Sequence, residues 1–203
     1  MCCLQYFVAE AVSIHAWPGY SLRRNYISDL GRANCDLHAS VATNGLCSPL
    51  HSVMNASFMI QGCLVALGSA LTWRLFPKKL SWLAALSLIG ASGLGVLLVG
   101  FAPEDVNSGL HYLGAAENLL CCNLGMLAIG AVMRRSRKTP KLLSATTLGA
   151  GCIGSTALAL LALHINLHLG PGGMERAAAY PFPLWLAGMG ALLFKHRDAA
   201  LFE

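Results

Sequence analysis

Four ionisable side chains in this sequence stand beside apolar stretches, where such groups are costly and mark functional sites by default. Asp29 lies in the string NYISDLG, His111 follows FAPED, and His164 and His168 stand four residues apart. Imidazole and carboxylate groups bind zinc, and a zinc-bound water loses a proton near neutral pH. The residue types therefore indicate either metal-dependent hydrolysis or a polar binding site.

The spacing of His164 and His168 predicts two imidazoles on one side of a helix, because four residues turn a helix by about 400°. A zinc ion held there needs a third and a fourth ligand, for which His111, Asp29 and Glu175 are the candidates, and the zinc hypothesis takes His111. Asp29 would orient the attacking water, and Ser28 would support Asp29 through a hydrogen bond. Under this hypothesis Asp29, His111 and Ser28 are catalytic. Under the alternative, the histidines only form hydrogen bonds between helices.

A wider polar set accompanies these residues. His111 and Asn118 are seven positions apart and share a helix face, so both can point into a bundle. We expect Glu175 and Arg176 to pair with charges of the loops, which keeps them satisfied near the membrane interface. The predicted ligand-binding residues are Glu175, Arg176, Asn55 and Asn118.

Six apolar segments must position these side chains. Of the 203 residues, 56% are hydrophobic and only 11% are charged, and runs of about 20 apolar residues can cross a bilayer core of about 30 Å. We therefore predict an all-α integral membrane bundle that forms one domain over residues 1–203. Gly90, Gly93 and Gly95 indicate that the third segment is a close-packed central helix. The predicted spans are residues 3–19, 50–73, 80–101, 110–133, 142–166 and 178–194.

The first predicted span is short and carries two ionisable residues, Glu10 and His15. Either this helix packs against its neighbours rather than against lipid, or the native chain starts upstream of Met1. No basic residue precedes Arg23, so the segment lacks the charged start of a signal peptide and should remain in the mature protein.

The distribution of basic residues predicts the orientation of the bundle. Ten of the 14 basic residues lie in three connections, which are residues 74–79, 134–141 and 195–197. By the positive-inside rule this side is cytoplasmic, with both termini inside. The other three connections then meet at the extracytoplasmic end, and they are residues 18–49, 102–109 and 167–177.

The long polar loop after the first span also allows a structural interpretation of its motif. Ser28 and Asp29 can cap a following turn by accepting backbone N–H bonds, and Gly31 can take a left-handed conformation. Cys35 and Cys47 lie in the same loop and can form a disulfide if it faces an oxidising compartment. No CxxC pair supports a metal site there.

The strings NYISDLG, FAPED and ERAAAYP occur in this order between the predicted helices, together with Asn55 in the second helix. In this order and spacing the chain resembles the domain-of-unknown-function 998 family of bacterial and archaeal polytopic membrane proteins over nearly its whole length. The resemblance implies a multi-pass membrane bundle and assigns no activity. The positions that match the family's pattern are Ser28, Asp29, Gly31, His111, Glu175 and Arg176.

Three functions are compatible with these patterns. The first is a multi-pass protein of the cell membrane whose polar site at the extracytoplasmic face binds or processes a lipid or another amphiphile. The second is a zinc-dependent intramembrane hydrolase, and the third is a small-molecule transporter, although no internal repeat supports alternating access. The expected partners are membrane lipids and either another membrane protein or a second copy of the chain. Nucleic acid is not expected, because the basic clusters are not interleaved with aromatic residues.

Overall fold

The chain folds into a bundle of α-helices. A computed structural model describes residues 2–34, 48–73, 79–137 and 139–195, and every regular element within these residues is helical. Short 3₁₀ helices cover Cys2–Leu4 and Ser28–Gly31. The α-helices are α1 Gln5–Ala16, α2 His51–Thr72, α3 Leu80–Phe101, α4 Ser108–Arg135, α5 Lys141–Ala162, α6 Gly170–Ala179 and α7 Pro181–Lys195.

Within these described ranges, five stretches of helix are long and apolar enough to cross a membrane, which confirms the all-helical membrane fold. They are α2, α3, α4, α5 and the consecutive pair α6 and α7. The first predicted span forms α1, whose 12 residues extend about 18 Å at about 1.5 Å per residue, short of the bilayer core of about 30 Å. Cys35 and Cys47, which can form a disulfide if their loop faces an oxidising compartment, lie outside the described residues.

Glycines let the three central helices approach closely. A Cβ atom on Gly93 would stand 2.6 Å from the backbone nitrogen of Ala66 on α2. A Cβ atom on Gly95 would stand 2.6 Å from the backbone nitrogen of Asn118 and 2.7 Å from the carbonyl oxygen of Gly114, both on α4. Small residues are what allows helices to pack in a membrane. The predicted central position of α3, between α2 and α4, is therefore confirmed.

Three apolar clusters fill the described part of the bundle. The first lies toward the end at which α2 and α4 begin, and its members include Tyr6, Trp17, Leu30, Met54 and Phe58. The second lies toward the opposite end, and its members include Trp82, Met126, Met133, Phe182 and Met189. The third is small and consists of Ala157, Met174 and Ala178.

Two prolines interrupt the last span. Pro181 and Pro183 have no N–H, so the carbonyl oxygens of Ala177 and Ala179 receive no main-chain hydrogen bond from four residues ahead. The helix breaks at Tyr180, between α6 and α7.

The three connections predicted to share one end of the bundle are in contact. The backbone N–H of Ala33 donates to Oδ1 of Asp105 at 3.1 Å, which joins the first connection to the second. The backbone N–H of Gly172 donates to the carbonyl oxygen of Arg23 at 3.1 Å, which joins the first connection to the start of α6. The side of the membrane on which this end lies stays a prediction from the basic residues.

Candidate functional site

A cavity of about 70 Å³ lies inside the bundle. It is bounded by α1, by the turn at Ser28 and by α2, α3, α4, α6 and α7, and most of its wall is apolar. Among the described residues, no lysine or arginine lines it. The polar residues that line it are Tyr6, Ser28, Gln61, His111, Asn118 and Glu175. Four of these, Ser28, His111, Asn118 and Glu175, belong to the site predicted from sequence, and the structure brings them together.

Gln61 supplies an unpaired acceptor in this cavity. The residue lies in the middle of α2 and is only 5% exposed. Its Oε1 has no hydrogen-bond partner within the part of the chain that the structure describes. An acceptor left unsatisfied in a protein interior costs about 1–3 kcal/mol. This oxygen is therefore available to a molecule that enters the cavity.

His111 is held in one orientation at the outer end of the same cavity. The residue is 3% exposed, and its Nδ1 lies 3.0 Å from the carbonyl oxygen of Ala102. Because a carbonyl oxygen only accepts, Nδ1 carries the proton and Nε2 is an acceptor in the neutral ring. Asn118 lines the same cavity two turns further along α4, which confirms the predicted shared face of His111 and Asn118.

Glu175 approaches the cavity from α6. Its Oε2 accepts the backbone N–H of Ile27, and the residue lines the cavity beside Ser28. The sequence placed Glu175 and Arg176 in an outer connection, which is wrong, because helix resumes at Gly170 rather than at residue 178. Glu175 therefore presents its carboxylate from a rigid helix.

Arg176 and Glu10 form a buried ion pair that joins α6 to α1. The Arg176 NH2 atom lies 3.0 Å from Oε1 of Glu10, and Nε donates to the same oxygen at 3.1 Å. Arg176 is 6% exposed and Glu10 is 2% exposed. The hydroxyl of Tyr180 also donates to Oε1 of Glu10, at 2.7 Å. The predicted pairing of Arg176 with a loop charge is wrong, since its carboxylate partner lies on α1.

The remaining donors of Arg176 are also committed to the protein. Its NH1 atom donates to the carbonyl oxygens of Leu22, Asn25 and Gly172 at 3.1, 3.0 and 3.0 Å. Its NH2 atom donates to the hydroxyl of Tyr20, and the guanidinium carbon lies 5.6 Å from the centre of that ring. Arg176 therefore fixes the first connection against α1 and α6, and it does not line the cavity at Gln61 and His111.

Asp29 organises the turn that carries Ser28. Its Oδ2 accepts the backbone N–H of Tyr26 at 2.8 Å and the side-chain amide of Asn25 at 3.3 Å. The predicted cap of a following turn is therefore wrong, because both bonds go to residues that precede Asp29. Ser28 lines the cavity whereas Asp29 lies just outside its wall.

Two substitutions at Asp29 separate its hydrogen bonds from its charge. Burial raises the pKa of the Asp29 carboxyl above its ordinary value of 3.8, although the bonds from Tyr26 and Asn25 lower it. An acid with a raised pKa in the folded state loses stabilisation as the pH rises through that pKa. Asp29→Asn keeps an acceptor for Tyr26 and should flatten the decline in melting temperature between about pH 4 and pH 8.

Asp29→Ala removes the acceptor and should lower the free energy of unfolding by about 1 kcal/mol. Thermal unfolding of the two variants in detergent at both pH values measures these effects. Equal melting temperatures for the Asn and Ala variants would show that the hydrogen bond to Tyr26 contributes nothing.

Asn55 connects this turn to α2. Its Nδ2 donates to the carbonyl oxygen of Gly31 at 2.8 Å, and a Cβ atom on Gly31 would stand 2.3 Å from Oδ1 of Asn55. The predicted left-handed conformation of Gly31 is wrong, because its φ is not positive. Glycine is needed there for the close approach of Asn55, whose side chain holds the turn and does not line the cavity.

His164 and His168 do not share a helix face. The predicted helix over residues 142–166 ends at Ala162, and both histidines are exposed with φ values of 58° and 63°. Across the described ranges, no group of three or more His, Cys, Asp or Glu side chains could hold a metal ion. The predicted zinc ligands His111, His164 and His168 are therefore not brought together, because His111 is buried among the helices.

Two important residues were not assigned to the site from sequence. Gln61 is an uncharged polar residue within an apolar span, and polar residues in such spans tend to face other helices. Glu10 was noted only as a reason to doubt the first span. A carboxylate in an apolar helix requires a polar or charged partner. The position of Glu10 in such a helix therefore indicates that it has a buried partner, which the structure identifies as Arg176.

Comparison with known proteins identifies the family of this chain. No curated protein and no solved structure matches the chain. A family model described as protein of unknown function (DUF998) matches residues 1–192. The chain therefore belongs to the DUF998 family of membrane proteins.

Proposed function

We propose that this membrane protein binds an amphiphile whose polar group enters the cavity lined by Gln61 and His111. The observation that carries the proposal is the unpaired Oε1 of Gln61 in the bundle interior. A buried acceptor without a partner lowers stability, so its retention is explained if a ligand supplies the missing donor. Ligand pockets typically combine apolar walls with a few convergent polar groups, and this cavity has that composition.

The size of the cavity limits what can enter it. An apolar cavity of about 150 Å³ holds one benzene ring. At about half that volume, this cavity accommodates a group of about three non-hydrogen atoms. The polar group of the amphiphile therefore occupies the cavity, and the apolar chain extends between the helices toward the lipid.

The bilayer is the source of such a ligand. His111 and Ser28 lie near the end of the bundle that the basic residues predict to be extracytoplasmic. A lipid or other amphiphile of the extracytoplasmic leaflet of the cell membrane has its polar group near this end, and that group moves inward to reach Gln61 in the middle of α2. The proposal requires binding only and no reaction at the cavity.

Two neighbouring alanines on α4 provide a matched test of occupancy. Ala115 lines the cavity, whereas Ala116 is exposed on the outside of the bundle. Ala115→Phe should fill the cavity and reduce retained amphiphile by about tenfold, equivalent to about 1.4 kcal/mol of binding free energy. Ala116→Phe adds the same ring and should leave occupancy unchanged.

Native mass spectrometry of the protein released from membranes in mild detergent measures the retained mass. The parent protein and Ala116→Phe should carry a copurified amphiphile, and Ala115→Phe should not. Equal adducts on both variants, or no adduct on the parent protein, would contradict the proposal.

A further inference from the structure

We infer that the polar group taken up by the cavity is a small hydrogen-bond donor, a hydroxyl or a primary amine, and not a carboxylate or a phosphate. This inference rests on the proposed binding of an amphiphile and specifies the chemistry of its head group. It follows from the kinds of atom that line the cavity, from the absence of a cationic side chain among the described residues of its wall, and from its volume.

Acceptors are available on three sides of the cavity. Oε1 of Gln61 has no partner in the described chain, and Nε2 of His111 is an acceptor because Nδ1 is bonded to the carbonyl oxygen of Ala102. The Glu175 carboxyl group accepts one backbone N–H, from Ile27, and its oxygens have further lone pairs. A hydroxyl or an amine satisfies such groups, whereas an anion has no proton to offer them.

Charge in and near the cavity also disfavours an anion. Among the described residues, no lysine or arginine lines the wall. The adjacent cation, Arg176, directs its donors to Glu10, to Tyr20 and to backbone carbonyls. A buried charge without a partner is strongly disfavoured. A carboxylate or phosphate in the cavity would therefore have no compensating charge.

The volume also excludes a phosphate head group. A phosphate has more non-hydrogen atoms than the about three that a cavity of this size accommodates. A hydroxymethyl or aminomethyl group has two, so it fits with the first carbon atoms of its chain. Long-chain alcohols and amines present such groups, as does a lipid with a free terminal hydroxyl.

A set of photoactivatable probes with one chain and different head groups tests the inference. The probes are a long-chain alcohol, amine and carboxylic acid with a diazirine at the same chain position, added to the full chain in phosphatidylcholine nanodiscs. At about pH 9 the acid is ionised and the amine is still largely protonated. Mass spectrometry then quantifies crosslinks to peptides of α2 and α4. We expect the alcohol and the amine to label the cavity residues about tenfold more than the acid, a difference of about 1.4 kcal/mol.

Labelling by the acid that equals or exceeds labelling by the alcohol would overturn the head-group inference and leave amphiphile binding intact. Absence of cavity labelling by all three probes would overturn both. The two failures are therefore distinguishable.

Gln61→Met tests whether Oε1 of Gln61 causes the preference for the alcohol probe over the acid probe. Methionine keeps the length of the side chain and removes the unpaired oxygen, so the variant should fold and should lose most of the preference for alcohol over acid. Ser57→Ala is the control, since Ser57 lies one turn away on α2, is 2% exposed and bonds to Gln5 rather than lining the cavity. It should keep the full preference. If Gln61→Met keeps the full preference for alcohol over acid, Oε1 of Gln61 is not the acceptor that selects the head group.

Discussion

Replacing Arg176 by methionine should lower the free energy of unfolding by about 3–5 kcal/mol, the cost of breaking a buried ion pair by removing one partner. The substitution leaves Glu10, which is 2% exposed, without its cation. It also leaves the carbonyl oxygens of Leu22, Asn25 and Gly172 without the NH1 donor that they share. Thermal or denaturant unfolding in detergent measures the loss.

A second substitution identifies the origin of that loss. Glu10→Gln added to Arg176→Met removes the stranded charge and should recover part of the stability, because the loss reflects an uncompensated buried charge. Arg32→Met is the matched control. The Arg32 side chain is 25% exposed and lies 3.9 Å from Asp29, so its loss should cost less than about 1 kcal/mol. Equal losses for Arg176→Met and Arg32→Met would contradict the buried pair.

Gly95→Ala should destabilise the protein by about 2–3 kcal/mol, in the range for overpacking a tight interface. The added methyl group would stand 2.6 Å from the backbone nitrogen of Asn118 and 2.7 Å from the carbonyl oxygen of Gly114. Neither atom belongs to a flexible side chain, so α3 and α4 must separate. Because α4 carries His111 and Asn118, the separation should also reduce amphiphile retention.

Gly149→Ala makes the same chemical change where nothing lies within 4 Å of the new methyl group. It should leave stability unchanged or raise it by up to about 1 kcal/mol, because alanine favours helix over glycine. The changes in melting temperature that the two substitutions cause, measured in one detergent, test the packing of α3 on α4. Equal effects would show that the close approach at Gly95 is not present.

The bounds of the central helices could be predicted from sequence because each is a continuous stretch of apolar residues. The predicted span over residues 80–101 coincides with α3, Leu80–Phe101, since the residues that must lie in lipid are apolar. The end of α5 could not be predicted in the same way. The apolar run continues past Ala162, and the chain leaves the helix through positive φ values at His164, Leu167 and His168, which hydropathy does not record.

The cavity was only partly predictable for a similar reason. His111 and Asn118 lie on one helix, and helical spacing alone places them on a shared face. Gln61 comes from another helix, and Glu10 and Arg176 are 166 positions apart in sequence. The spacing of polar residues along one helix does not show which other helix packs against that face. The missing information is the packing of α1 and α6, which buries the ion pair.

Cryo-EM of the protein in lipid nanodiscs, with a bound antibody fragment to add mass, would test amphiphile binding most directly. We predict elongated density that enters the bundle and ends within hydrogen-bond distance, about 3 Å, of Oε1 of Gln61. A cavity that holds only separate water molecules, or one that has closed so that Gln61 bonds to the protein, would contradict it.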